Sequence, residues 1–154
     1  MKEYKKKVHY INECLEKYII SKIQNSEFKE ITTHSLAGGK RLRSVLSLII
    51  GESICSKINI DKLAVSVELL HNASLIIDDM PCMDNDKYRR GKETTHYKFG
   101  QKKAQMLVVY FLKQAFRLIH ENYVEILNSD IKPKNFPLIF LEIHKNINDN
   151  LGFL

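Results

Sequence analysis

Apolar residues recur at three- and four-residue steps through most of this chain, the period of helices that each bury one stripe. Val8, Ile11, Leu15, Tyr18, Ile19 and Ile23 predict an amphipathic helix from about Val8 to Ile31. Gly38-Gly39 interrupts it, and Leu42, Val45, Leu46, Ile49 and Ile50 start a second, more deeply buried helix running to about Lys57. A third helix, with Asp61 as N-cap, carries Leu63, Ala64, Val67, Leu70, Ala73, Ser74 and Ile77 on one wide face. Pro81 ends it shortly after Asp78 and Asp79. Residues 80–100 are polar and turn-rich and read as a long loop with a short helical turn. A fourth helix follows through Ala104, Leu107, Val108, Phe111, Leu112, Ala115, Leu118 and Ile119. Pro133 and Pro137 bracket another loop, and Leu138, Leu141 and Ile147 suggest a last helix. With no β-alternation, internal repeat or low-complexity tract, the predicted class is all-α.

The 154 residues suit a single domain spanning 1–154, and the 44% hydrophobic and 27% charged content is ordinary for a chain that folds around a core. Twenty-four Lys and Arg against 18 Asp and Glu give +6, which favours an anionic partner without saying whether it is nucleic acid, a membrane surface or a phosphorylated metabolite. Lys5-Lys6-Lys7 reads as a solvated end. Cys14, Cys55 and Cys82 are odd in number and far apart, which supports neither a disulfide framework nor a zinc site and fits a reducing cytosol. No N-terminal apolar segment resembles a signal peptide, and no apolar run approaches a membrane span, so the expected location is cytoplasmic. Asn72-Ala73-Ser74 matches a glycosylation sequon inside an apolar helical stretch, where the match is accidental.

Three blocks carry candidate chemistry: Gly38-Gly39-Lys40-Arg41-Leu42-Arg43, then His71, then Asp78 to Asp86 followed by Arg89-Arg90-Gly91-Lys92. Asp78 and Asp79 sit at a helix C-terminus, facing the negative end of its dipole, a placement that a cation would compensate. Asp84 follows a Pro-broken turn and can fold back toward Asp78, so that carboxylate oxygens gather for a hard cation such as magnesium. His71 lies seven residues before Asp78, two turns back on nearly the same face. Lys40 and Arg43 are neighbours at a helix start beside free backbone N–H groups, and form an anion site. Arg89 and Arg90 add two forked guanidinium groups suited to phosphate. Two cationic clusters imply two diphosphates. Gly39-Lys40 is no nucleotide P-loop, since the earlier glycine spacing is absent and Arg41 stands where Ser or Thr would follow.

Alone, an acidic loop flanked by basic residues is an ordinary solvated surface. GGKRLRS, LLHNASLIIDDMPCMDND and RRGKETTHYKFG, in that order and at these intervals, resemble the trans-isoprenyl diphosphate synthases of the geranylgeranyl and short-chain farnesyl type, most strongly over residues 38–100. The resemblance implies a helical bundle of the isoprenoid synthase type, seen over its N-terminal half and incomplete at the C-terminal side. It implies a magnesium-dependent prenyltransferase that condenses isopentenyl diphosphate with an allylic diphosphate, with geranylgeranyl diphosphate as product, and that works as a homodimer or heteromer without nucleic acid. Lys40, Arg43, His71 and Arg90 would hold isopentenyl diphosphate, and Arg89 the allylic one. Asp78 and Asp84 would bind magnesium with Asp79 assisting, and the small Ala73 and Ser74 would leave room at the floor for a long product. Two departures stand out: the family's second aspartate-rich motif is absent from these residues, and Leu107-Val108-Val109-Tyr110 replaces a common Gly-Asp pair. The alternative is a non-catalytic, diphosphate-binding subunit or pseudoenzyme that modulates a complete synthase.

Overall fold

The computed structural model describes residues 2–54 and 56–129, together with 142, 145, 146 and 149. The predicted loop at Pro133 and Pro137, the last helix through Leu138, Leu141 and Ile147, and Cys55 lie outside the described residues.

Six helices make the described part all-α: α1 (Lys2–Tyr18), α2 (Ser26–Leu36), α3 (Leu42–Ile54), α4 (Asp61–Asp79), the short α5 (Thr95–Phe99) and α6 (Gln101–Leu127). The central packing is α4 on α6, with α1 and α3 against α4. Ile11, Leu15, Ile19, Val45, Val65, Leu69, Leu107, Phe111 and Leu118 fill the core between them.

The single helix expected over Val8–Ile31 is two helices. After Tyr18 the chain tightens into a 3₁₀ turn, Ile20–Lys22, and Asn25 restarts it as N-cap, its side chain accepting from Phe28 N at 2.8 Å. The apolar repeat runs unbroken across this junction because Ile19 and Ile31 reach the same core, and so periodicity alone hides the break.

Helix α3 is not the deeply buried helix its composition suggests. Val45 and Leu48 are buried, but Leu42, Leu46, Ile49, Ile50 and Ile54 are exposed, because the packing of α3 against α1 and α4 covers one side of it. Asp61 is not the N-cap of α4 either. Ile60 takes that place, and Asn59 and Asn122 accept the free N–H groups of Asp61 and Leu63 at 2.8 and 3.1 Å.

The buried stripe of α4 is rotated from the expected one. Ala64, Val65, Leu69, Ala73 and Ile76 are in the core, Leu70 and Ile77 are half-buried, and Ser74 is exposed. Hydropathy misleads here because the polar Glu68 and Asn72 belong to the buried side, where other polar groups satisfy them.

The loop at 80–100 contains a small hairpin, β1 (Tyr88–Arg89) with β2 (Lys92–Glu93). Its two-residue turn is Arg90-Gly91, both with positive φ (54° and 76°), the handedness that hairpin turns favour. Strands of two residues are too short to leave an alternation in the sequence. Thr94 Oγ1 donates to the Asp86 carbonyl at 2.7 Å and ties the hairpin back to the acidic loop.

Candidate functional site

Helix α4 stops where the sequence requires it, since Met80 precedes Pro81 and turns extended (ψ 156°). The chain then folds back: Met83 N and Asn85 N both reach the Met80 carbonyl, and Asp84 N donates to the Asp78 carbonyl at 2.9 Å. The turn thus returns Asp84 to the end of α4, beside Asp78. Asp78 is half-buried and Asp84 exposed.

Asp79 points elsewhere. It is 5% exposed, and its Oδ1 accepts from Arg89 Nε and Nη2, both at 2.6 Å. Asp86 adds a longer contact to the same guanidinium at 3.9 Å. The Asp79 hydrogen bond is the main reason the guanidinium of Arg89 is held above its ordinary pKa. Asp79 and Arg89 share a cavity of about 100 Å³ with Gly38, Gly39, Asn72, Arg90 and Lys92.

The neighbouring face of α4 carries a different arrangement. Arg43 Nη1 lies 3.2 Å from His71 Nε2. A guanidinium can only donate, so Nε2 is the acceptor and the ring is neutral with its proton on Nδ1. Burial lowers the His71 pKa first, followed by the positive charge of Arg43; Arg90 and Arg89 push the same way. Arg43, Leu70, His71 and Ser74 line an open groove of about 950 Å³.

The structure therefore brings Asp79, Arg89 and Arg90 together with the Gly38-Gly39 turn, and separately brings Arg43, His71 and Ser74 together. Lys40 is exposed, and its carbonyl accepts from the Tyr4 hydroxyl. Ala73 is 1% exposed in the core, while Ser74 faces the groove. Arg41 and Glu68, which the sequence does not mark as important, are buried and paired at 2.8 Å.

The oxygen donors suit a hard cation. Among the described residues, no three His, Cys, Asp or Glu side chains converge as a closed metal cage. Magnesium does not ordinarily require one, because it keeps several waters and binds through one or two carboxylates plus substrate phosphates. Asp78 and Asp84, brought together by the turn and both accessible to water, fit that pattern; Asp79, held by Arg89, is the less available ligand.

The polyprenyl synthetase family model matches residues 25–143. A geranylgeranyl diphosphate synthase of Pseudescherichia vulneris is 47% identical over 87 residues, covering 54% of this chain and 28% of that protein. A farnesyl diphosphate synthase of Buchnera aphidicola is 36% identical over 110 residues, covering 70% and 37%. The crystal structure of a geranyltransferase from Legionella pneumophila superimposes with a TM-score of 0.74 at 28% identity, covering 83% of this chain and 46% of that one. A geranylgeranyl pyrophosphate synthetase from Geoglobus acetivorans gives 0.73, covering 92% and 44%. The chain thus spans less than half the length of each of these relatives. No helix among the described residues is long and apolar enough to cross a membrane.

Proposed function

This chain belongs to the polyprenyl synthetase family, and we propose that it forms the part of a prenyltransferase site that holds isopentenyl diphosphate and starts the ionisation of an allylic diphosphate. The observation that carries this reading is the meeting of Arg43 with a neutral His71 over an open groove, one helix face that also leads to Asp78. A cation that donates to a neutral acceptor keeps its full charge for an anion.

Arg43 and His71 bind the isopentenyl diphosphate at the groove, and Lys40 and Arg90 reach it from the side of the Gly38-Gly39 turn. When a phosphate oxygen takes the guanidinium of Arg43, His71 Nε2 is released and can take up a proton and donate to the same anion. Arg89 serves the allylic diphosphate. Asp78 and Asp84 would hold magnesium with Asp79 assisting, and the ion supplies charge that stabilises the departing diphosphate. The fixed cations add to that stabilisation where charge develops. Leu63, Val67, Leu70 and Ile119 give the groove an apolar wall that keeps water from the carbocation left behind. The isopentenyl double bond then forms the new C–C bond, and loss of a proton restores a double bond.

Product length is read from the same helix, with geranylgeranyl diphosphate as the proposed product. Ser74 and Ala73, four and five residues before Asp78, bound the space left for the chain. Ser74 faces the groove and Ala73 the core, so Ser74 is the more direct limit.

The test is incubation of the chain with isopentenyl diphosphate, farnesyl diphosphate and magnesium, followed by chromatography of the dephosphorylated products. A twenty-carbon alcohol is expected from the wild type, and a shorter product from Ser74→Phe when geranyl diphosphate is the allylic substrate. Binding of both diphosphates without any product would leave the chain as a non-catalytic diphosphate-binding subunit, and binding of neither would overturn the reading. The same family membership makes a homodimer the assembly we propose.

A further inference from the structure

The turn between α2 and α3 carries Gly38, Gly39 and Lys40, and its glycines form one wall of the cavity shared with Asp79 and Arg90. Its backbone is not relaxed. Arg41 has a φ of 54°, a left-handed conformation that a long side chain adopts only where its surroundings impose it.

Those surroundings are the contacts of Arg41 itself. Lys40 and Arg43 are exposed, but Arg41 between them is 6% exposed. Its Nε donates to Asn12 Oδ1 on α1 at 2.9 Å, its Nη1 to Glu68 Oε1 on α4 at 2.8 Å, and its Nη2 to the carbonyl of Leu36, the last residue of α2. Glu68, 2% exposed, also accepts from Ser44 Oγ at 3.1 Å and from Asn72 Nδ2 at 3.2 Å. Asn72 in turn lines the cavity. The packing has no slack, since a Cβ on Gly39 would stand 2.2 Å from Arg41 Nη1.

We propose that Arg41 and Glu68 are positioning residues for the diphosphate site. One planar guanidinium ties α1, α2 and α4 to the start of α3. It thereby fixes the Gly38–Lys40 turn and Asn72 in the orientation that presents them to the anion, while Arg41 itself touches no substrate. The proposal rests on the diphosphate reading given above. Stability alone is a weak reason for such a pair, because the cost of desolvating two buried charges largely cancels their attraction. What an apolar pair or a lysine does not reproduce is a rigid fork serving three acceptors at once.

The decisive variant is Arg41→Met/Glu68→Met in the full chain, compared with wild type by thermal midpoint, amide hydrogen exchange through residues 37–45, and calorimetry with inorganic pyrophosphate. The expected result is a midpoint close to wild type, exchange faster by about tenfold or more at Ala37 and Val45, the amides that close the two ends of the turn by donating to the His34 and Arg41 carbonyls, and pyrophosphate affinity lower by about tenfold. Wild-type exchange rates in the turn of a folded double variant overturn the proposal. If the double variant does not fold, Arg41→Lys takes its place: one ammonium keeps the charge but does not span three acceptors, and an unchanged turn in that variant is equally fatal. If wild type binds no pyrophosphate, with or without magnesium, the diphosphate reading falls and takes the substrate half of the proposal with it. The exchange arm still decides whether the pair holds the turn.

Discussion

The two chemical faces of α4 treat an arginine in opposite ways. On the side of Asn72 and Asp79, Arg89 donates to a buried carboxylate at 2.6 Å. On the side of His71 and Ser74, Arg43 donates to a neutral ring at 3.2 Å. The charge of Arg89 is largely cancelled before any anion arrives, and recruiting it means separating it from Asp79. The charge of Arg43 is free. An anion on the Arg43 side should therefore need no metal, and one on the Arg89 side should depend on a cation that competes for the aspartates.

The widest gap should appear on removing magnesium. Allylic diphosphate affinity, measured by calorimetry, should fall by several kcal/mol, roughly a hundredfold or more, in the presence of a chelator. Isopentenyl diphosphate affinity should hardly change, and Asp78→Ala should reproduce the pattern. Equal losses for the two substrates would erase the distinction between the faces. Next in size is Arg43→Ala, which should weaken isopentenyl diphosphate by about 1.5–3 kcal/mol, the worth of a charged hydrogen bond, and spare the allylic substrate.

Asp79→Asn sharpens the comparison in the other direction. Without the carboxylate, Arg89 resembles Arg43, and magnesium-free pyrophosphate binding should tighten by about 1 kcal/mol or less for this partly exposed pair. Unchanged binding would show that Arg89 is not the anion ligand. The smallest effect belongs to His71. Its folded pKa lies below 6.5, so below that pH the unfolded chain binds a proton that the folded chain refuses, and stability falls as the pH drops through this range. An anion reverses the preference. Isopentenyl diphosphate binding should take up a fraction of a proton near pH 6.5, seen as a buffer-dependent binding enthalpy, and His71→Asn should abolish it.

Much of this layout is legible in the sequence. The helices around α4 and α6 follow from apolar spacing, and the return of Asp84 to Asp78 follows from Pro81 breaking the helix. The failures share one cause, which is that spacing records polarity and not partnership. Arg41 reads as one more cation in a basic run, and only its buried acceptors identify it as structural. Glu68 and Asn72 stand outside the apolar face predicted for α4 and are buried for the same reason. A clearer signal was available at Arg90-Gly91, where a two-residue turn ending in Gly could have been read as a hairpin.

Helix α3 has a consequence for the chain in a tube. Leu42, Leu46, Ile49, Ile50 and Ile54, between 47% and 79% exposed, give it an oily strip along one side. Solubility is then a contest between that strip and the +6 net charge. Salt weakens the charge by screening, and sulfate also strengthens the tendency of apolar surface to leave water. Ammonium sulfate should precipitate this chain early, and dilute buffers of low ionic strength, where like-charged molecules still repel one another, should keep it dispersed.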